Sequence, residues 1–551
     1  MRKWKKCALA AVLAALCALS TACGIIGGDE EQGPVDNVKV SDAYFGLAWY
    51  QNGTLNPVLD NTNINRVLCE ALYEGLFEVT SNFTAENVLC ESYEGDGTTF
   101  TFTLRGDVTF WSGEPLTAAD VVASLEAAHY NESSPFYNRL TEVSSIEAVG
   151  TNQVRIVLSS PNINFPRLLD IPIYREGSAD SGSFADGTGP YRPVEGENQW
   201  TLEANENWHG GFLGSIRHIT LVTMTRADTA LSSFQTGDVS LMRASRIDPN
   251  PPNVGGSVDT VQTASASLHY LGFNYNDPLL SSSGVRRALS AALSRQSLCE
   301  TQLQTFADPA ILPVNPQPAD SSLSLNMSAD PNGAAQLLLE ALQSDTGGSS
   351  EDEPSDTEDE YTDNEYTGEG DGSGGESDSG ETESDGSSSP SGVGSEAETV
   401  LSIRLLVNSD NAFKVAAAQQ IAASWNALDG VSVTVDAQPY ETFVSRLQSG
   451  DFDVYYGETQ LTADFDLRPL LSSGGSLNYG GYSGESMASA IAAMRSGDNV
   501  VGFYQTFLEE MPIVPIAFEC DQIIIRKGLI DNYQPAPYNA FAGLETWTSP
   551  E

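Results

Sequence analysis

The chain has 551 residues, of which 75 are Asp or Glu and 26 are Lys or Arg, so its formal net charge is −49 at pH 7. This length exceeds what one compact core holds, and two or three domains are expected. The negative charge repels phosphate backbones and anionic lipid surfaces, which excludes nucleic acid and direct adsorption to a membrane as main modes of interaction.

The first residues have the pattern of a segment that is removed on export. Basic residues near the start precede an apolar stretch at 7–19, shorter than the roughly 20 residues of a membrane-spanning helix. We predict a signal peptide over 1–22. Cys23 follows Ala22 in a context similar to the bacterial lipobox, in which the thiol is alkylated by diacylglycerol, and 23–37 would be the lipid-anchored tether. The alternative is an ordinary cysteine behind a secretory signal.

Helical and strand patterns alternate along the rest of the chain, which predicts a mixed α/β fold. The clearest are a strand at 100–104, helices at 116–125, 285–293 and 334–342, and a strand at 401–407. Thr117 is the expected N-cap of the first of these helices, with Asp120 at the capping-box position.

One low-complexity segment interrupts this alternation. Residues 345–398 contain 19 acidic side chains and no Lys or Arg, among many Ser and Gly. Such a composition cannot bury enough apolar surface to offset chain entropy, so we predict a disordered acidic insertion. It lies between a helix and a strand and is therefore expected inside a domain. Two interpretations stay open: a spacer that contacts cations or the cell wall, or a solvated loop without a ligand.

Motifs for catalysis and for metal binding are missing from the sequence. Neither a nucleophile elbow nor a phosphate-binding loop nor a zinc-protease motif occurs, and the four histidines have no metal-ligand spacing. We therefore predict no enzymatic activity, no cofactor and no metal site. Four cysteines remain beyond Cys23, and their spacing does not decide between disulfides and free thiols: Cys69, Cys90, Cys299 and Cys520.

A series of short motifs carries a resemblance to a known family. They include Leu-Asn-Pro at 55–57, Tyr-Glu-Gly-Leu at 73–76, the run 108–121 that ends in Leu-Thr-Ala-Ala-Asp-Val, Gly-Thr-Gly-Pro-Tyr at 187–191, and Pro-Ile-Val-Pro-Ile at 512–516. In order and spacing they resemble the family 5 extracellular solute-binding proteins of ABC transporters, which include dipeptide, oligopeptide and nickel receptors. The resemblance covers roughly residues 38–551, apart from the acidic insertion.

The resemblance implies a bilobed periplasmic-binding-protein-like fold, type II, cluster C, with an extra inserted domain. Lobe I would consist of 38–78, 187–268 and 515–551, with the extra domain 79–186 inserted in it. Lobe II would be 269–514. The ligand would be enclosed between the lobes by hinge closure.

The same resemblance implies a set of ligand-binding residues. Asp464 lies in an Ala-Asp-Phe segment similar to the one whose aspartate holds the ligand α-ammonium in peptide-binding members, a charge-assisted pairing. Its alternative is a loop acid. Glu70, Ala71 and Leu72 match a stretch that touches the peptide backbone, and helix packing is their alternative. Leu461 stands where oligopeptide binders carry Trp, so it is expected in the pocket wall.

The function implied is capture of a peptide or similar small solute and its delivery to an ABC permease. The protein would be a monomer, held on the outer face of the cell membrane by its lipid alone. Two other classes stay open: a receptor, chaperone or adhesin lipoprotein with the same fold, which the lack of a neighbouring permease gene would favour, and an enzyme, which turnover of an ester or peptide would favour.

Overall fold

The computed structural model describes residues 44–548 with gaps. The gaps are 51–54, 180–182, 198, 213, 215, 227–228, 255, 319–322, 324, 347–399 and 532. The predicted signal peptide, Cys23 and its tether lie outside the described residues, as does the acidic insertion beyond residue 346. In the part that is described, no helix is both long enough and apolar enough to cross a membrane.

Strands and helices alternate as the sequence predicts. The strands are β1 (Gly46–Tyr50), β2 (Phe77–Val79), β3 (Ala85–Asn87), β4 (Cys90–Gly95), β5 (Thr99–Leu104), β6 (Val143–Val149), β7 (Gln153–Leu158), β8 (Tyr191–Glu195), β9 (Trp200–Ala204), β10 (His218–Met224), β11 (Leu241–Arg243), β12 (Val258–Phe273), β13 (Ala307–Pro309), β14 (Leu401–Asn408), β15 (Val431–Gln438), β16 (Val454–Gln460) and β17 (Val514–Arg526). The helices are α1 (Asn63–Leu72), α2 (Ala118–His129), α3 (Ala230–Thr236), α4 (Pro278–Ser281), α5 (Ser283–Ala291), α6 (Arg295–Thr301), α7 (Pro331–Thr346), α8 (Ala412–Trp425), α9 (Tyr440–Ser449), α10 (Arg468–Leu471), α11 (Glu485–Ser496) and α12 (Val500–Glu510).

The larger sheets divide the molecule into three parts. One has the order β1-β10-β9-β8, and another, β4-β5-β7-β6, lies wholly within the predicted extra domain. The third has the order β11-β17-β12-β16-β14-β15, with β13 paired to β17. Two hydrophobic cores follow. The larger packs the helices of the second half of the chain around β12, β14 and β16, while the other joins the first sheet and the extra domain.

The long strands β12 and β17 connect these two cores. They are antiparallel partners from Val258↔Arg526 to Leu271↔Val514, with a register shift between Thr263 and Ser267. Leu268, Tyr270, Leu271 and Phe273 of β12 belong to the larger core, whereas Ile523 and Ile525 of β17 are buried in the other. The same two strands therefore belong to both lobes, and the irregular stretch lies between them.

Local predictions are confirmed in several places. Helix α2 begins after Thr117, whose backbone N–H donates to the Asp120 carboxylate at 2.9 Å, as in a capping box. The predicted strand at 100–104 is β5, the predicted helix at 334–342 lies within α7, and the strand at 401–407 is β14. The four cysteines Cys69, Cys90, Cys299 and Cys520 are free thiols.

One hairpin reaches from the predicted extra domain into the opposite lobe. Between β2 and β3, Phe83 is fully buried in the larger core, and its ring lies 4.9 Å from that of Phe465. The chain at Phe83 has a φ of +54°, in the left-handed region that non-glycine residues rarely adopt. This hairpin therefore packs the extra domain directly against lobe II.

Candidate ligand cleft

A cavity of about 510 Å³ lies where the two lobes meet. Its floor is the irregular stretch of β12 and β17, and its walls include residues 135–139 of the extra domain and 458–463 of lobe II. Cavities of this size are typical of small-molecule sites. Two neighbouring cavities, of about 330 and 360 Å³, share the Arg66 side chain with it. We call the three together the cleft.

Arg66 reaches the cleft from helix α1. The helix is N-capped by Thr62, whose hydroxyl accepts from the Asn65 N–H. Its apolar side, including Leu68, is buried, so that Arg66 and Glu70, one turn apart, share the opposite face. Across the described residues, the guanidinium of Arg66 makes no hydrogen bond or ion pair. Although the Arg66 side chain is exposed to the cleft, partial desolvation by the surrounding protein, and then the charge of Arg139, lowers the pKa of Arg66.

The three other arginines of the cleft, which are Arg105, Arg139 and Arg243, are already paired. Arg139 contacts the Asp170 carboxylate, and its guanidinium lies 5.9 Å from the centre of the Tyr538 ring. Arg243 bonds Glu70 at 3.0 Å and contacts Asp521. These arginines hold the walls of the cleft in place. Arg66 is the cation that the described residues leave available for a ligand.

A group of acids lines another part of the cavity. Glu458 contacts Lys414, and Glu519 accepts a hydrogen bond from Ser245 at 2.6 Å. Asp248 lies near both. Burial raises the pKa of Asp248, and the negative charges of Glu519 and Glu458 raise it further. The cavity thus combines an arginine-rich group around Arg66 with a carboxylate group around Glu458, a pattern that suits a ligand with both charges.

Among the predicted site residues, Glu70 and Leu461 line the cleft. Leu461 belongs to the largest cavity and Glu70 to the two smaller ones. Glu70 accepts from the Ala540 N–H at 2.7 Å as well as from Arg243, and burial raises the pKa of Glu70 to about 7. Its oxygens therefore have partners within the protein.

Ala71 and Leu72 are not among the residues that line these three cavities, and their contact with a ligand stays a prediction. Both side chains are fully buried in the lobe I core, and the Leu72 carbonyl accepts from the Gly189 N–H at 3.1 Å. On this amphipathic helix the two side chains face inward, which agrees with the packing alternative.

Asp464 lies next to the cavity but does not line it. Its carboxylate accepts from Thr462 at 2.5 Å, from Asn162 at 2.8 Å and from Arg495 at 3.3 Å. Asp464 is therefore already held by a cation of lobe II and an amide of the extra domain. The idea that it holds a ligand ammonium stays a prediction, and it would require Arg495 to be displaced.

Arg495 connects Asp464 to a larger set of charges between the extra domain and lobe II. Arg495 and Arg468 both contact Glu142 of the extra domain, and Arg468 also bonds Asp466 at 2.6 Å. A backbone hydrogen bond also joins the extra domain to lobe II: the Ile163 N–H donates to the Arg495 carbonyl at 2.7 Å. We call Glu142, Asp464, Asp466, Arg468 and Arg495 the interlobe network.

Two cores that share long strands, with a charged cavity between them, give the molecule a bilobed architecture with a cleft between the lobes. The family model for bacterial extracellular solute-binding proteins, family 5, matches residues 84–478. The chain belongs to this family.

Individual relatives agree with this assignment. Glutathione-binding protein GsiB of Salmonella typhimurium is 28% identical over 308 residues, 52% of this chain and 59% of GsiB. The nickel-binding periplasmic protein of Escherichia coli is 26% identical over 324 residues, 53% of this chain and 60% of that protein. The match thus spans about three fifths of these relatives. The ABC transporter substrate-binding protein CtaP of Listeria monocytogenes is 17% identical and shares the fold, with a TM-score of 0.65 over 93% of this chain and 100% of CtaP.

Sequence reasoning missed Arg66 and the acids around Glu458. The motif pattern pointed to neighbours of Arg66, but it gave no position for a cation that meets a ligand carboxylate. The signal was present in α1, where a charged residue one turn before Glu70 shares its face. Helical periodicity shows the shared face, whereas only the fold shows that this face borders a cavity.

Proposed function

We propose that the protein captures a peptide or a similar small zwitterionic solute between its lobes and delivers it to the permease of an ABC importer. The observation that carries this proposal is Arg66, an arginine in the interlobe cleft without a hydrogen bond or ion pair among the described residues. Arg66 is exposed to the cleft, so water solvates its charge until the lobes close around a ligand, and a carboxylate then offers the bidentate partner that guanidinium matches best.

The other charges of the cavity favour a zwitterion over a simple anion. The carboxylate group of Asp248, Glu458 and Glu519 borders the same space as Arg66. A peptide brings an ammonium and a carboxylate together, so both charged groups of the cavity would find a partner when the cleft closes. The relatives of the chain include a glutathione-binding and an oligopeptide-binding protein, which supports this class of ligand.

The location of the protein at the cell surface is part of the same proposal. The signal peptide and Cys23 would place the protein on the outer face of the membrane as a monomer held by its lipid. Replacement Cys23→Ala should release the protein or leave its precursor uncut, as seen by fractionation and mass spectrometry of the N-terminus. A variant that stays membrane-bound with a normal, cleaved N-terminus would show that Cys23 is not the anchor.

Native mass spectrometry of the gently purified protein, followed by calorimetric titration, tests the capture of peptides. We expect a bound solute of peptide-like mass, or binding of trialanine or glutathione with a Kd near or below the micromolar range, about −8 kcal/mol. If no solute co-purifies and neither peptide binds, the peptide proposal fails. Exclusive binding of a solute without a carboxylate would remove the role of Arg66.

A further inference from the structure

Three neighbouring strands at the junction of the lobes bring one imidazole and two carboxylates together. His269 of β12 lies opposite Glu458 of β16, and Glu519 of β17 lies opposite Ser267, two residues before His269 on the same face. The His269 Nε2 atom is 3.4 Å from a Glu519 oxygen and 3.9 Å from a Glu458 oxygen. One ligand atom from each of the three residues lies within 4.8 Å of the others.

The imidazole is fixed in this orientation by its other nitrogen. His269 is 1% exposed, and its Nδ1 atom lies 3.0 Å from the Tyr456 hydroxyl, which is itself buried. If Nδ1–H donates to that hydroxyl, Nε2 presents its lone pair toward the two carboxylates. Metal-binding histidines are commonly held by a hydrogen bond from the nitrogen that does not bind the metal.

Negative charges outnumber positive charges around this cluster. Glu458, Glu519 and Asp248 border one cavity, and Lys414, in contact with Glu458, is the cation that meets this group directly. A dication would balance the remaining negative charge better than Lys414 alone. Because Glu458 and Glu519 line the cavity, an ion held there would face the cleft and keep coordination positions open on that side.

We propose that His269, Glu458 and Glu519 form a binding site for a divalent first-row transition metal in the wall of the cleft. One imidazole and two carboxylates are a donor set suited to Zn²⁺, Ni²⁺ or Co²⁺ rather than to Mg²⁺ or Ca²⁺, which prefer oxygen ligands alone. This proposal does not depend on the peptide ligand, because the metal alone is its probe.

Titration of the full chain with Co²⁺, followed by visible absorption and calorimetry, tests the site. We expect one tight site with a ligand-field band, above weak binding by the many surface acids. Glu519→Gln and His269→Gln should each weaken that site at least tenfold, as loss of one ligand would do. The matched controls are Glu147→Gln and His218→Gln, an exposed carboxylate and an exposed histidine on strands outside the cleft, which should leave it unchanged.

A substitution of Lys414 should have the opposite effect on the affinity for Co²⁺. Lys414→Met removes the cation that competes for Glu458 and should tighten Co²⁺ binding about tenfold, while Lys527→Met, on the loop after β17, should not. If His269→Gln unfolds, Glu519→Gln and Lys414→Met still decide the matter. Equal Co²⁺ binding by the wild type, Glu519→Gln and Lys414→Met, or the lack of a tight site in the wild type, would overturn the proposal.

Discussion

Two charged regions lie between the lobes, and they differ in how completely their charges are paired. In the interlobe network, each arginine contacts at least two of the three carboxylates, each carboxylate has an arginine partner, and Asn162 donates a further hydrogen bond to Asp464 at 2.8 Å. In the cleft, Arg139 and Arg243 have carboxylate partners, while Arg66 lacks one among the described residues.

This difference indicates two roles: one region holds the lobes together, and the other is available to bind a ligand. A buried charge with a full set of partners is costly to break and offers a ligand nothing new, so the interlobe network stabilises the approach of the lobes. Arg66 is exposed to the cleft and has no hydrogen bond or ion pair among the described residues, so it can pair with a ligand carboxylate. We therefore assign closure to the interlobe network and recognition to Arg66.

The largest expected effect comes from breaking the interlobe network. Arg495 is 5% exposed, and replacing it by Met leaves the buried Asp464 carboxylate without its cation and leaves Glu142 with Arg468 alone. We expect Arg495→Met to lower the free energy of unfolding by about 3–5 kcal/mol, measured by chemical denaturation.

The exposed ion pair Arg105–Asp107 provides the control for this prediction. Arg105→Met should cost about 0–1 kcal/mol, as surface pairs do. Equal losses for Arg495→Met and Arg105→Met would mean that the interlobe network has no more effect on stability than a surface pair.

A smaller effect, with a defined pH dependence, is expected at Glu142. Burial favours its protonated form, but hydrogen bonds from Arg468 and Ser160 and the charge of Arg495 hold the pKa of Glu142 below its usual range. Stability from this carboxylate is present above the unfolded-state pKa of about 4.3 and is lost as the pH falls through the lower folded-state value. Glu142→Gln should cost about 2 kcal/mol at pH 7 and much less near pH 3.

Unfolding curves of the wild type and Glu142→Gln at several pH values check this prediction. Glu147→Gln is the matched control, because Glu147 forms an exposed pair with Arg155 on the same sheet. A loss for Glu142→Gln that is the same at pH 7 and pH 3 would contradict an ionic role.

The smallest stability effect is expected at Arg66, in contrast to Arg495. Since Arg66 lacks a hydrogen bond or ion pair in the described structure, Arg66→Met should change the free energy of unfolding of the ligand-free protein by no more than about 0.5 kcal/mol. Thermal unfolding of the two variants side by side measures the contrast. A loss of several kcal/mol for Arg66→Met would show that the residue supports the fold.

The sequence predicts much of the fold because its signals are local. Thr117 and Asp120 specify the start of α2, and the alternation at 401–407 specifies a strand, each within a few residues. The bilobed arrangement has no local signal, and its prediction depends on the resemblance of the motif series to the family 5 solute-binding proteins.

The site is less predictable because its contacts join residues far apart in the chain. Asp464 has the expected motif, yet its environment is decided by Asn162 and Arg495, which no local pattern links to it. The cluster around His269 likewise depends on strand register between β12, β16 and β17. Histidine spacing along the chain therefore could not reveal it.

Recognition of a ligand carboxylate by Arg66 is tested most directly by calorimetric titration of trialanine and trialanine amide into the wild type and Arg66→Met. On the wild type, the amide should bind about 30-fold more weakly, near 2 kcal/mol, because it lacks the carboxylate. On Arg66→Met, acid and amide should bind alike, since both changes remove the same pair. If trialanine amide on Arg66→Met instead shows the sum of the two separate losses in binding free energy, the pairing of Arg66 with the ligand carboxylate is contradicted.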